Sequence, residues 1–187
     1  MSKKKTISII SAFYNENDNL TKFVNSFDKA RTLLIKKGYK VNLVLVNDGS
    51  TDNSIYTIKK LIKKKKYIEL ISLTKNYGQQ IAIFTGFQKA NADFYGAIDS
   101  DGQQDPRYFV QMIEKIKDNK FDIVQMKKKY GNYENWLKKL FSKFFYFIFN
   151  KLTNINLEAG SSDFYMFTRR VRAEVISSNI SKFFLRG

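Results

Sequence analysis

Strand patterns alternate with helix patterns along most of this chain, and this alternation constrains its fold more than any other feature. Short apolar, β-branched runs typical of buried strands occur at 7–13, 41–46, 68–73, 94–98 and 121–126. Strands separated by helices of ordinary length form right-handed βαβ units. We therefore predict an α/β fold with a mostly parallel central sheet flanked by helices.

Apolar residues at helical spacing mark the segments between these strands. After Asn17 one helix face carries Leu20, Phe23, Val24, Phe27 and Ala30. Further helices are predicted to begin at 52–54 and to cover 79–90 and 109–116. The helix over 79–90 is expected to face the core with Ile81, Ala82, Phe84 and Phe87.

A polar cluster follows each predicted strand. In chain order the clusters are Tyr14-Asn15-Glu16, Asn47-Asp48-Gly49-Ser50, Lys75-Asn76-Tyr77-Gly78, Asp99-Ser100-Asp101 and Lys127-Lys128-Lys129. In parallel sheets, ligands bind beyond the carboxyl ends of the strands. The pattern therefore predicts one site built from all of these clusters at a single edge of the sheet.

The pair Asp99 and Asp101 suggests a cation at this edge. Two carboxylates one residue apart at the end of a strand can reach one Mg²⁺ or Mn²⁺, which prefer oxygen ligands and share their shell with phosphates. Acidic residues at such positions also cap helices, and Asp105 before Pro106 is a candidate N-cap. On the motif alone, both interpretations stay open.

Composition excludes several kinds of chemistry. The 187 residues suffice for one domain with a real core. The sequence contains no cysteine and no histidine, so thiolate metal sites, cysteine nucleophiles and histidine bases are excluded. Proton transfer would fall to carboxylates, Lys, Tyr or the substrate. Neither a Gly-x-x-x-x-Gly-Lys loop nor a Gly-x-Gly-x-x-Gly loop is present.

The net charge of +16 indicates an anionic partner or a composition biased towards Lys, Ile and Asn, and both explanations stay open. An anionic partner would be nucleic acid, a phosphorylated substrate or an acidic membrane surface. No stretch has the roughly 18 apolar residues of a membrane-spanning helix, and 1–14 is interpreted as a basic lead-in followed by the first strand. The aromatic, Lys-flanked stripe over 136–152 is typical of a core helix or of a helix in a membrane interface.

Five ordered motifs resemble those of a known family. They are Tyr14-Asn15-Glu16, Asn47-Asp48-Gly49-Ser50-Thr51-Asp52, Asn76-Tyr77-Gly78-Gln79, Asp99-Ser100-Asp101-Gly102-Gln103 and Ser162-Asp163-Phe164. From about Ile7 to its last residue the chain resembles glycosyltransferase family 2. Its closest similarity is to the polyprenyl-phosphate members, the dolichol-phosphate mannosyltransferases and bactoprenol glucosyltransferases.

That resemblance implies a GT-A (Rossmann-like) fold and inverting transfer of a sugar from a nucleotide-sugar. By position, the nucleotide-sugar would contact Ala12, Tyr14, Glu16, Asp48, Lys75, Asp99 and Ser100. A Mg²⁺ or Mn²⁺ ion would be held by Asp99, Asp101 and Gln103. The donor is expected to be a UDP-sugar, with a GDP-sugar as the alternative.

The resemblance also implies where the acceptor binds. Asp163 and Asp101 match catalytic positions, and Asp163 could instead cap a turn before Phe164. The acceptor phosphate would contact Lys128, Lys129 and Arg186. Tyr165 stands where the family has an arginine, which removes a phosphate contact.

Three functions stay open, of which the first two are implied by the resemblance. The first is sugar transfer to a polyprenyl phosphate, the second is transfer to a saccharide hydroxyl, and the third is a non-catalytic basic protein that binds membranes or nucleic acid. Acidic residues gathered at the sheet edge argue against nucleic acid as a partner.

Residues 1–187 are expected to form a single catalytic domain, truncated before the interfacial and membrane segments with which such relatives continue. We expect this chain to be soluble by itself and the whole protein to act at the cytoplasmic face of a membrane. Homo-oligomerisation stays open.

Overall fold

The structure is a computed structural model and describes residues 4–118, 120–127 and 161–177. In chain order its strands and helices are β1 Thr6–Phe13, α1 Asn17–Lys36, β2 Lys40–Asn47, α2 Ser54–Lys64, β3 Ile68–Ser72, α3 Gln79–Lys89, β4 Phe94–Ala97, α4 Tyr108–Ile116, β5 Ile123–Lys127, β6 Ser161–Thr168 and α5 Arg169–Ser177. The predicted α/β alternation is therefore confirmed. The bounds of the predicted strands and helices differ from the observed ones by at most two residues.

The strands form one six-stranded sheet in the order β3-β2-β1-β4-β6-β5. β1 pairs in parallel with β2 and β4, and β2 pairs in parallel with β3. β6 lies antiparallel between β4 and β5, so β5 runs in the same direction as β1 to β4. The carboxyl ends of the five parallel strands and the amino end of β6 therefore share one edge, hereafter the site edge.

Two apolar clusters cover the two faces of the sheet. α1, α2 and α4 pack on one face, where Phe23, Phe27 and Phe109 are buried against β1 and β6. α3 packs on the other face through Phe87, whose ring lies 4.8 Å from that of Phe167 in β6. Because helices cover both faces of the sheet, β1 and β2 are buried along almost their whole length. This burial explains why their sequences are mostly apolar.

The predicted buried face of α1 is confirmed, because all five of its named residues are buried. The predicted face of α3 is wrong at Ile81, whose side chain is 47% exposed. The buried residues of α3 are instead Ala82, Ile83, Gly86 and Phe87, which face the sheet. A β-carbon at Gly86 would lie 2.5 Å from a methyl group of Ile10, so the absence of a side chain there sets which face can pack closely.

The strand predicted over 121–126 begins at Ile123, and Phe121 lies outside it with 55% of its surface exposed. The sequence patterns did not predict β6 as a strand. The amphipathic stripe over 136–152 lies outside the described residues. None of the helices in the described ranges combines the length and the apolar character that crossing a membrane requires.

Candidate functional site

A cavity of about 310 Å³ opens at the site edge. The loops after β1, β2, β3 and β4 supply its walls, and its lining residues are Ala12, Phe13, Tyr14, Glu16, Asp48, Asn76, Gly78, Gln79, Asp99, Ser100 and Asp101. Four separate strands thus bring their polar ends to one cavity, hereafter the donor cavity.

The loops after β1 and β2 are joined by hydrogen bonds around Asn15. Asn15 has a positive φ of 54°, which Asn tolerates better than most residues. Its side-chain Oδ1 accepts the Thr51 amide at 2.9 Å, and its own amide donates to the Ser50 hydroxyl at 3.0 Å. The Glu16 amide donates to the Ser54 hydroxyl at 3.0 Å. These bonds fix the wall that carries Tyr14 and Glu16.

Asp52 completes this junction. Its carboxylate accepts the Ser54 amide at 3.0 Å and the Asn17 amide at 3.3 Å. Burial raises the pKa of Asp52, but hydrogen bonds from Ser54 and Asn17 outweigh burial and hold that pKa below its usual value. The carboxylate therefore remains ionised at neutral pH and anchors the first turns of α1 and α2.

Asp48 connects the loop after β2 to the loop before α3. Its side chain is 3% exposed, and its two oxygens accept the backbone amides of Tyr77 at 2.8 Å and Gly78 at 2.9 Å. Asp48 therefore shapes the cavity wall, and the remaining lone pairs of its oxygens can accept a ligand N–H or O–H.

Ser100 connects the loop after β4 to β1. Its side chain is buried, and its hydroxyl donates to the backbone carbonyl oxygen of Ala12 at 3.1 Å. This bond closes the floor of the donor cavity between the two central strands.

Asp99 is oriented by two glutamine amides. The Gln79 Nε2 donates to one carboxylate oxygen at 2.6 Å, and the Gln104 Nε2 donates to the other at 2.8 Å. Asp101 is exposed, and its carboxylate accepts the Gln103 amide at 2.9 Å.

The chemistry of this donor set fits a divalent cation. Asp99 and Asp101 both line the donor cavity and offer the carboxylate oxygens that Mg²⁺ and Mn²⁺ prefer. Within the described ranges, no group of three or more Asp or Glu residues is placed to hold a metal ion. A cation held by these two side chains would complete its shell with water or with the phosphate oxygens of a ligand, as Mg²⁺ commonly does.

β6 brings Asp163 and Tyr165 towards the site edge. Tyr165 pairs with Ala97, two residues before Asp99, and both Asp163 and Tyr165 are buried. Burial raises the pKa of the Tyr165 phenol well above its ordinary value, and the negative charges of Asp163 and Asp99 raise it further. Among the described residues the Tyr165 hydroxyl has no hydrogen-bond partner.

The donor cavity brings together seven of the residues that the sequence assigned to the nucleotide-sugar or the cation: Ala12, Tyr14, Glu16, Asp48, Asp99, Ser100 and Asp101. Lys75, Gln103 and Asp163 are not among its lining residues. The Lys75 ammonium lies 5.2 Å from the ring centroid of Tyr77. Lys128, Lys129 and Arg186 lie outside the described residues. The roles of all these residues stay predictions.

Sequence reasoning missed Gln104 and gave no separate role to Asn15, Ser50 or Gln79. Asn and Ser directly after a strand often bond to nearby backbone groups, and that signal identifies Asn15 and Ser50 as loop-forming residues. No local pattern identifies Gln79 or Gln104 as partners of Asp99, because the residues next to a glutamine in the sequence do not specify which group its side chain will bond.

Comparison with known proteins decides the family. The family described as Glycosyl transferase family 2 matches residues 8–177, which include every loop of the donor cavity. The chain belongs to glycosyl transferase family 2. Among curated relatives of this family 2 chain, the prophage bactoprenol glucosyl transferase homolog of Escherichia coli K12 is 28% identical over 181 residues. That alignment covers 97% of this chain and 58% of the relative. The chain thus spans little more than half the length of the curated relatives it matches.

Solved structures of other proteins share the fold of this family 2 chain. A mannosyltransferase of Pyrobaculum calidifontis, in complex with GDP-Man and Mn²⁺, superposes with a TM-score of 0.65 at 14% identity, covering 93% of this chain and 47% of the other. Residues 1–349 of Staphylococcus aureus TarS, in complex with UDP-GlcNAc, superpose with a TM-score of 0.56 at 23% identity. That match covers 70% of this chain and 36% of the other. At these identities the likeness establishes the fold, which is the predicted GT-A fold.

Proposed function

We propose that this family 2 chain catalyses the inverting, metal-dependent transfer of a sugar from a nucleotide-sugar to a polyprenyl phosphate. The observation that carries the proposal is the donor cavity, in which residues from four loops converge around Asp48, Asp99 and Asp101. The bactoprenol glucosyl transferase name of the Escherichia coli relative supports the lipid acceptor. The bound Mn²⁺ of the Pyrobaculum mannosyltransferase supports the cation.

The donor half of the site would bind a nucleoside diphosphate. Tyr14 is 44% exposed at the cavity and offers an aromatic face to a base, while Asp48 offers acceptor oxygens to its N–H groups. Both uracil and guanine carry such N–H groups. We expect a UDP-sugar, with a GDP-sugar as the alternative, because no base-reading feature among the described residues favours guanine over uracil.

The reaction would be a direct displacement at the anomeric carbon. The acceptor oxygen forms a bond to that carbon while the bond to the diphosphate oxygen breaks, and the electron pair leaves with the nucleoside diphosphate. Asp99 and Asp101 would hold the divalent cation, which supplies electrophilic stabilisation of the departing diphosphate. The rigid junctions at Ser100 and Asp48 keep the cavity walls in place, so little reorganisation accompanies the reaction.

The acceptor determines whether a base is needed. A polyprenyl phosphate is already an anion at neutral pH and attacks without losing a proton. Asp163 would then orient the acceptor from the amino end of β6. A sugar hydroxyl would need to transfer its proton, and Asp163 would be the base.

Calorimetric titration tests the donor half. UDP and GDP would each be titrated with and without Mn²⁺ into the chain and into Asp101→Ala. We expect metal-dependent binding of one nucleotide, UDP, and loss of the metal effect in Asp101→Ala. Binding of neither nucleotide to the folded protein would contradict the proposal.

Product analysis tests the acceptor half. Radiolabelled UDP-sugar would be incubated with membranes and with the protein, and the label would be partitioned into organic solvent. We expect acid-labile label in the lipid fraction. Label that enters only water-soluble saccharide would replace the lipid acceptor with a saccharide hydroxyl.

A further inference from the structure

We propose that Gln104 and Gln79 are positioning residues for Asp99, the carboxylate predicted to lie between the nucleotide and the cation. Neither glutamine was assigned a role from the sequence. The proposal rests on the proposed function, because it concerns how the donor cavity prepares a carboxylate for a cation and a diphosphate.

Gln104 holds Asp99 at two points. Its side-chain Nε2 donates to one carboxylate oxygen of Asp99 at 2.8 Å, and its Oε1 accepts the backbone amide of Asp99 at 3.1 Å. The side-chain amide of Gln104 thus donates one hydrogen bond to Asp99 and accepts another from it. The carboxylate is thereby fixed relative to its own backbone at the end of β4.

Gln79 holds the same carboxylate from a different element. It is the first residue of α3, and its Nε2 donates to the second oxygen of Asp99 at 2.6 Å. Gln79 and Asp99 both line the donor cavity, so this bond lies at the ligand-facing surface. It connects α3 to the loop after β4, while the Asp48 bonds connect the loop before α3 to the loop after β2.

Two neutral amides orient a carboxylate without cancelling its charge. Each carboxylate oxygen has two lone pairs, so an oxygen that accepts one amide proton can still bind a cation. A carboxylate held in one orientation before the ligand arrives loses less conformational freedom on binding. Partners of this kind typically change metal affinity by about 10- to 100-fold when they are removed.

The test measures nucleotide affinity with and without Mn²⁺ in four forms of the chain: unaltered, Gln104→Ala, Gln79→Ala and Gln88→Ala. Gln88 is a matched control, because it is an exposed glutamine of α3 that does not line the donor cavity. We expect the enhancement of UDP affinity by Mn²⁺ to fall about tenfold in Gln104→Ala and in Gln79→Ala. The melting temperature of each variant should remain close to that of the unaltered chain, and Gln88→Ala should also keep the UDP affinity of the unaltered chain with and without Mn²⁺.

A double-mutant cycle tests whether the glutamines act through Asp99. In an Asp99→Ala background, Gln104→Ala should have no further effect on UDP affinity with Mn²⁺, because the carboxylate that it holds is gone. An additive loss in that background would overturn the proposal. A loss of the same size with and without Mn²⁺ would also overturn it, because the glutamines would then hold the cavity wall in general.

Different results would overturn the proposed function and the positioning role of the two glutamines. If the unaltered, folded chain binds neither UDP nor GDP under any metal condition, the proposed function fails and the positioning role falls with it. If UDP binds and Mn²⁺ strengthens its binding equally in the unaltered chain and in both glutamine variants, only the positioning role is overturned.

Discussion

Gly49 lies so close to Lys75 that a β-carbon at position 49 would be 2.4 Å from the Lys75 carbonyl carbon. Gly49 also has a φ of +72°, which residues with a β-carbon rarely adopt. The loop after β2 and the loop after β3 therefore meet backbone to backbone beside the donor cavity. Position 49 combines a conformational requirement with a steric one.

We expect Gly49→Ala to displace the Lys75 backbone and to weaken nucleotide binding by about tenfold, which corresponds to ~1.4 kcal/mol. Gly38→Ala is the matched control, because Gly38 has a φ of +91° but a β-carbon added there would meet nothing within 4 Å. Backbone strain should cost both variants about 1–2 kcal/mol of unfolding free energy. Gly49→Ala should lose more than Gly38→Ala, because its β-carbon also meets the Lys75 backbone. Chemical denaturation and UDP titration check this, and equal nucleotide affinity in the two variants would contradict it.

Asp48→Asn tests the carboxylate whose two oxygens accept the backbone amides of Tyr77 and Gly78. Asparagine keeps one oxygen but turns an NH₂ group towards one of the two backbone amides. We expect a loss of about 1–3 kcal/mol of unfolding free energy, the usual result of an unsatisfied buried donor. UDP affinity should fall as well, because the wall formed by these amides moves.

Asp93→Asn is the control for that change. Asp93 accepts the Thr6 amide at 2.8 Å at the start of β1, at the opposite edge of the sheet. It should lose stability without losing UDP affinity. Equal effects of the two substitutions on UDP binding would show that Asp48 affects binding only through global stability.

Tyr165→Phe separates stability from acceptor chemistry. The Tyr165 hydroxyl is buried without a partner among the described residues, so its removal should leave the unfolding free energy unchanged or raise it by about 1 kcal/mol. If the hydroxyl meets the acceptor beside Asp163, sugar transfer should fall while UDP affinity stays constant. A lower unfolding free energy in Tyr165→Phe would contradict the expectation on stability. Unchanged sugar transfer would contradict the expectation that the hydroxyl meets the acceptor.

Asp122 provides a pH-dependent contribution to stability at the junction of β5 and α5. The Arg170 guanidinium hydrogen-bonds to Asp122 and holds the pKa of that carboxyl below its usual value. Because the folded pKa is lower than the unfolded one, this contribution is present above about pH 4 and is lost as the pH falls through the folded pKa.

Urea denaturation of the unaltered chain and of Asp122→Asn between pH 7 and pH 3 checks that sign. The unaltered chain should be the more stable at pH 7, and the difference should shrink as the pH falls. Asp118→Asn, which removes an exposed carboxylate near the end of α4, is the control and should show a smaller change. A difference that grows towards pH 3 would reverse the assigned direction of the Asp122 pKa shift.

The α/β class, most of the strand and helix positions, and the loops that carry the donor cavity could all be predicted from the order of residues. These features follow from local properties: apolar runs specify buried strands, helical spacing specifies a packed face, and parallel strands bring their carboxyl ends to one edge. Asp48, Asp99 and Asp101 could therefore be assigned to one site before any contact was known.

How those loops are held depends on contacts between distant parts of the chain. β6 lies between β4 and β5, a pairing that no local pattern specifies because its partners are distant in sequence. The buried face of α3 depends on where Gly86 meets Ile10, and this contact places Ile81 outside the core. The hydrogen bond from Gln79 to Asp99 likewise depends on the docking of α3 on the sheet, because a glutamine amide finds a carboxylate by proximity and not by sequence pattern.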